Sequence, residues 1–117
     1  MKAKSKFQIY RSGKVYRFRL LSRNGRKILV GEAYTTKQNC LKGVKSVKEN
    51  SLDKNCFEKK KSSNGKYYFV LKATNGEIIG ASQMYSTVSG RNAGIRFVKT
   101  NATISLIEDF TRSLRAG

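Results

Sequence analysis

The sequence predicts an α+β domain built from two tandem copies of one β-β-β-α unit and closed by a C-terminal strand. Three observations lead there. Residues 16–51 align without a gap on residues 67–102 at a constant offset of 51. Each copy carries an Asn-Gly pair between two alternating apolar segments, Asn24-Gly25 and Asn75-Gly76. Each then follows a third such segment with a hydroxyl pair and a helical apolar pattern. The predicted organisation is one domain over residues 1–117, with repeat 1 at 7–51, repeat 2 at 57–102, and a C-terminal strand and tail at 103–117.

The opening strand of each copy lies near FQIY and FEKK, where Phe7 matches Phe57 at an offset of 50. One residue is therefore gained or lost in the turn containing Gly13 or Gly65, where a surface connection tolerates it. The Gly13-Lys14 and Gly65-Lys66 pairs lead into VYRFRLL and KYYFVLK, whose period of two places Tyr16, Phe18 and Leu20, or Tyr67, Phe69 and Leu71, on one face. The Asn-Gly pairs predict two-residue type I′ turns into the third strands, KILVGEA and IIGASQ.

Thr35-Thr36 and Ser86-Thr87 then read as helix N-caps. The helices that follow turn Leu41, Val44 and Val47, or Ile95 and Val98, toward the sheet. They are expected to end near Asn50 and Asn101, residues that tolerate a left-handed C-cap. Gly43 and Gly94 sit mid-helix at about 1 kcal/mol each relative to alanine, which predicts a close approach of backbone to backbone there. In the tail, ISLI is expected to form a final strand, with TRSLRAG fraying beyond it.

Composition bounds the function. The chain has 25 Lys plus Arg against 7 Asp plus Glu, a net charge of +18 that attracts polyanions. That excess is well beyond what solubility needs. No apolar run approaches the roughly 20 residues of a membrane helix, and the basic MKAKSK is followed by alternating FQIYRS, so a cytoplasmic address without membrane contact is expected. Cys40 and Cys56 show no CxxC spacing and read as reduced, packed thiols.

Catalytic chemistry has little to work with. There is no histidine, hence no ordinary general base near neutral pH and no commonest metal ligand. Glu108 and Asp109 are adjacent and on a strand point to opposite faces. SGRNAG resembles a phosphate loop but maps onto the helix of the first copy, and Cys40 has Arg91 as its counterpart and no companion base. The expectation is a protein that is not an enzyme, with no cofactor and no small-molecule substrate.

If Tyr16, Phe18 and Leu20 face the helices, Arg17 and Arg19 face away, joined by Arg23, Arg26 and Lys27 at the hairpin tip and next strand. The matching positions of the second copy carry Tyr68, Val70, Thr74, Glu77 and Ile78, leaving Lys72 as its principal cation. Arg17, Arg19, Arg23, Arg26, Lys27 and Lys72 are thus the candidate nucleic-acid contacts, gathered on an open sheet face. Six to ten neutralised phosphates would cost about 10³ to 10⁵ in affinity between 50 and 200 mM salt. Lys37, Lys42, Lys45 and Lys48 read as the polar face of the first helix, and Lys59 to Lys61 as protection of a sheet edge.

The motifs GKYYFVLKATNGEIIGASQMYS and GIRFVKTNA, with their looser first copies GKVYRFRLLSRNG and YTTKQNCLKGVKSVKEN, resemble the YegP-like family of small bacterial and archaeal proteins over roughly residues 7–110. That resemblance implies β-β-β-α(-β) units used in tandem or as a homodimer of single copies, assembled into a single antiparallel sheet with two helices and exchanged C-terminal strands. A tandem chain holds both halves, so it implies a monomer in which a pseudo-twofold replaces the dimer axis. The expected function is a non-catalytic binding module with nucleic acid as its polyanion. The alternative is a protein-interaction or stress-associated accessory module contacting partners through the apolar second-copy face around Tyr68 and Val70.

Overall fold

In the computed structural model, which describes residues 5–111, the chain forms β1 (Ser5–Ser12), β2 (Val15–Ser22), β3 (Lys27–Gly31) and α1 (Lys37–Asn50). A short 3-10 turn then leads into β4 (Phe57–Lys61), β5 (Tyr67–Lys72), β6 (Ile78–Ser82) and α2 (Val88–Asn101). A second 3-10 turn, Ala102–Ile104, delivers β7 (Leu106–Asp109). The expectation for residues 112–117 lies outside the described residues.

All seven strands join one sheet in the order β4-β5-β6-β3-β2-β1-β7. The copies meet where β3 pairs antiparallel with β6, Val30 opposite Ala81. Those two residues are repeat counterparts, so the pseudo-twofold axis passes between them. One feature corrects the expected all-antiparallel sheet: β7 runs parallel to β1, with Lys6 beside Leu106 and Gln8 beside Glu108. The reason is where α2 delivers the chain. Buried Ser105 is hydrogen-bonded to Ser5 at the start of β1, so both strands set out from the same end. The second copy's last strand thus completes the first copy, while β4 keeps an open edge on the other side.

The turns account for the repeat offset. Ser12 pairs with Val15 around Gly13-Lys14, a two-residue turn with Gly13 at φ +65°. Its counterpart closes by Ser62 N to Lys66 O, leaving a three-residue loop that ends on Gly65 at φ +83°. The extra residue converts an offset of 50 into 51. The Asn-Gly hairpins differ from the predicted type I′ form. Ser22 N donates to Arg26 O and Gly25 N to Ser22 O, enclosing three residues of which only Gly25 has positive φ. Ala73, Gly76 and Glu77 repeat that pattern. Each hairpin is followed by a bulge, between Leu20 and Leu21 and between Leu71 and Lys72, which resets the in-out alternation of the next strand.

Both helices cover one face of the sheet. Thr36 Oγ1 accepts from Asn39 N at 3.1 Å and Thr87 Oγ1 from Gly90 N at 2.9 Å, the predicted N-caps. The C-termini differ from expectation. Asn50 and Asn101 stay helical and donate from Nδ2 to the carbonyls of Ser46 and Phe97, at 2.8 and 2.9 Å. Beneath the helices, Phe7, Ile9, Phe18, Leu20, Leu29, Phe69 and Leu71 pack against Cys40, Val44, Val47, Ile95 and Val98. Helix α1 lies over β2 and reaches β5 and β6, while α2 lies over β5 and reaches β3, so one core spans both copies.

Gly43 and Gly94 mark a close approach, though not one of backbone to backbone. A Cβ at either would lie 2.4 Å from the hydroxyl oxygen of Tyr34 or Tyr85. The glycine leaves the room that the hydroxyl end of the tyrosine occupies beside the helix. Cys40 and Cys56 are free, buried thiols, and burial pushes Cys40 up to about 11. No helix among the described residues is long and apolar enough to cross a membrane.

Candidate nucleic-acid interface

The face away from the helices carries one continuous cross-strand row. From the β7 edge to the β4 edge it reads Glu108, Gln8, Arg19, Val30, Ala81, Val70, Glu58. The pseudo-twofold lies at its centre, so Arg19 stands where the other half has Val70, and Gln8 where it has Glu58. On the first-copy side the row is wired together. Arg19 Nε donates to Gln8 Oε1 at 3.0 Å, and Gln8 Nε2 donates to Glu108 Oε1 at 2.7 Å. Lys6 Nζ lies 3.1 Å from the same carboxylate oxygen. The Gln8 and Lys6 hydrogen bonds hold the Glu108 carboxyl below its ordinary range.

The guanidinium of Arg19 lies 4.5 Å from the centroid of the Tyr10 ring, a cation-π contact that sets its plane. Its terminal nitrogens keep no partner among the described residues. Arg17, half-buried on the same face, enters no ion pair there. Lys27 is exposed opposite Leu21, which itself lies opposite Lys6. Arg17, Arg19 and Lys27 therefore share the predicted open face.

The other three candidates do not join them. Arg23 and Arg26 are exposed on the helix side, because the bulge after Leu20 inserts Ile28 beneath α2 and turns the hairpin tip toward that helix. Arg23 lines a depression with Ser22, Asn24 and Phe97, and at the end of the sheet another with Ser5, Lys6 and Ser22. Arg26 lines an adjoining one with Ile28, Tyr85, Gly90, Ala93, Gly94 and Phe97. Lys72 stays on the open face but is neutralised, its Nζ 2.5 Å from Glu58 Oε1. The Lys72 hydrogen bond, with Lys60 in support, holds Glu58 below the usual carboxylate range. The single basic face expected from alternation is thus two basic surfaces, one on each side of the sheet.

Gln8 and Tyr10, which orient Arg19, were legible in the alternation of FQIYRS opposite Phe7 and Ile9. Phe97 was not, since its counterpart is Ser46 and it lies beside the core position Val98. Four lysines, Lys6, Lys37, Lys60 and Lys72, enter ion pairs among the described residues, and no arginine does. The other lysines and all the arginines among the described residues enter no ion pair.

Residues 12–58 and 62–109 each match the family model of a domain of unknown function, DUF1508. The UPF0339 protein YegP of Escherichia coli K12 is 49% identical over 96 residues, covering 82% of this chain and 87% of that protein. The solution NMR structure of yegP from E. coli superposes with a TM-score of 0.89 at 44% identity, over 97% of this chain and 98% of that one. The solution NMR structure of a UPF0339 protein from Shewanella oneidensis gives 0.88 at 37% identity, over 97% and 95%.

Proposed function

This chain belongs to the DUF1508 family, and on that premise we propose that it is a non-catalytic, monomeric, cytoplasmic module that binds nucleic acid on the open sheet face of its first repeat. The observation that carries the reading is the presence there of Arg17 and Arg19 with no ion pair among the described residues, Arg19 being oriented by Tyr10 and Gln8. A guanidinium held in plane with its terminal donors free suits bidentate contact with a phosphate. Lys27 extends the set along the strand direction.

Three phosphate contacts from Arg17, Arg19 and Lys27 give a log-log salt slope of about −3, hence roughly a 40-fold loss of affinity between 50 and 200 mM salt. The test is fluorescence anisotropy with labelled duplex and single-stranded DNA at those two salt concentrations. Arg17→Ala with Arg19→Ala should weaken binding several-fold and reduce the slope by about 2, since two counterion-releasing contacts go. Lys45→Ala with Lys48→Ala should do much less. Negligible binding at the lower salt overturns the reading.

A second reading, a protein-interaction module, is favoured by the β7 edge, where Leu106 is 75% and Phe110 54% exposed. Its contact would move from the face around Val70, which is only 4% exposed, to this edge. Binding of that kind would be nearly indifferent to salt.

A further inference from the structure

The groove between the β2–β3 hairpin tip and α2 is built differently from its pseudo-symmetric counterpart. Phe97, half-buried, stands between two adjoining depressions of about 330 and 280 Å³, one bearing Arg23 and the other Arg26. At the offset of 51, Phe97 replaces Ser46, Ala93 replaces Lys42 and Gly90 replaces Asn39. Arg23 and Arg26 likewise replace Thr74 and Glu77. All five differences act in one direction. They lower the helix surface, set an aromatic ring into it, and put guanidinium groups where the other half has a hydroxyl and a carboxylate.

Core packing accounts for only part of this: Phe97 packs one side of its ring against the core but stays partly exposed in the groove, and Arg23, Arg26 and Ala93 are exposed. A partly exposed ring between two arginine-bearing hollows matches what an unstacked base and its flanking phosphates need: a π-face and charge-assisted donors on either side. Each hollow is near the lower size of a small-ligand pocket. Arg26 also lies close enough to Tyr85 to favour its ionised form against the burial that raises that hydroxyl.

We infer that this groove takes one unstacked nucleotide of a single-stranded nucleic acid, its base against Phe97 and its phosphates on Arg23 and Arg26. The inference rests on the reading of the chain as a nucleic-acid binder and narrows it, since a stacked duplex presents no base face to Phe97.

The full chain is titrated at about 50 mM salt with a fluorescein-labelled oligothymidylate, with a duplex of equal phosphate count, and with a thymidine mononucleotide as competitor. The oligothymidylate should bind more tightly than the duplex. Phe97→Leu should weaken it about tenfold, the size of one lost base-aromatic stack, and leave duplex binding within about twofold. Arg23→Thr with Arg26→Glu, both at exposed positions, tests the same groove without touching the core and should weaken the single strand at least as much. Competition by the mononucleotide, lost in Phe97→Leu, supports the base-and-phosphate chemistry and names free nucleotides as its source. Duplex binding that equals single-strand binding, with both variants silent, overturns this inference and leaves the open-face reading standing. No binding by any probe overturns both.

Discussion

The two halves about the Val30–Ala81 axis share the central core positions beneath the helices and differ sharply around them. Phe18 and Phe69, Leu20 and Leu71, Tyr34 and Tyr85, and Gly43 and Gly94 occupy matching places in one core. On the open face Arg19 faces its counterpart Val70 across the axis, and at the hairpin tips Arg26 is answered by Glu77. The edges differ too. Ile9, with β7 beside it, is 1% exposed, whereas its counterpart Lys59 lies exposed on an edge with no neighbour. Shared packing constrains both copies alike, since a core position tolerates little change of volume. An outward position is constrained only by what covers it.

That contrast predicts symmetric effects in the core layer and one-sided effects outside it. The largest should come from the helix glycines. Gly43→Ala and Gly94→Ala each place a Cβ 2.4 Å from a tyrosine hydroxyl oxygen and should each cost about 1–3 kcal/mol in urea unfolding. Adding Tyr34→Phe to Gly43→Ala should recover part of the loss. A gain of about 1 kcal/mol, as helix propensity alone would give, would show that the rings yield and the close approach means nothing.

The caps come next. Thr36→Ala and Thr87→Ala each remove an acceptor from a helix start and should cost about 1 kcal/mol apiece, adding when combined because the caps belong to separate helices. Markedly unequal losses in thermal melts would break the symmetry.

The smallest effect should be confined to the β7 edge. Lys37 Nζ lies 2.6 Å from Asp109 Oδ2, and that hydrogen bond first, with Thr111 second, holds the carboxyl down to about 2 from its ordinary 3.8. A depressed carboxylate stabilises the fold above its unfolded value and loses that contribution as pH falls from about 4 toward about 2. Asp109 is a quarter exposed, so the contribution should stay under about 1 kcal/mol. The counterpart of Lys37 is Val88, so no equivalent clip exists in the other half. Asp109→Asn should flatten that part of the acid-unfolding curve. An unchanged curve would assign the β7 contact to Ser5, Ser105 and the backbone instead.

Part of the candidate site was open to reading because it depends on alternation along a single strand. Phe18 and Leu20 face the helices, so Arg17 and Arg19 had to face away. Arg23 and Arg26 lay beyond that argument, because they sit in and at the close of the three-residue hairpin loop, where strand alternation does not apply. Lys72 lies on the open face as alternation predicts, but its charge is taken up by Glu58, a diagonal neighbour on β4 that alternation along β5 alone does not record.

The sequence by itself determined the unit and its duplication, the three strands and capped helix of each copy, and the side chains that meet in the core. These follow from period, turn chemistry and capping, all expressed within a few residues. Only the tertiary structure decided the rest: the parallel β7 that makes the sheet mixed and the division of the arginines between two faces. Residues 51–56 between α1 and β4 are too few to lay down a strand and also turn into the next one, whereas the chain after α2 is free to cross to β1. Such outcomes depend on where distant segments arrive together, as Ser5 and Ser105 do across most of the chain's length.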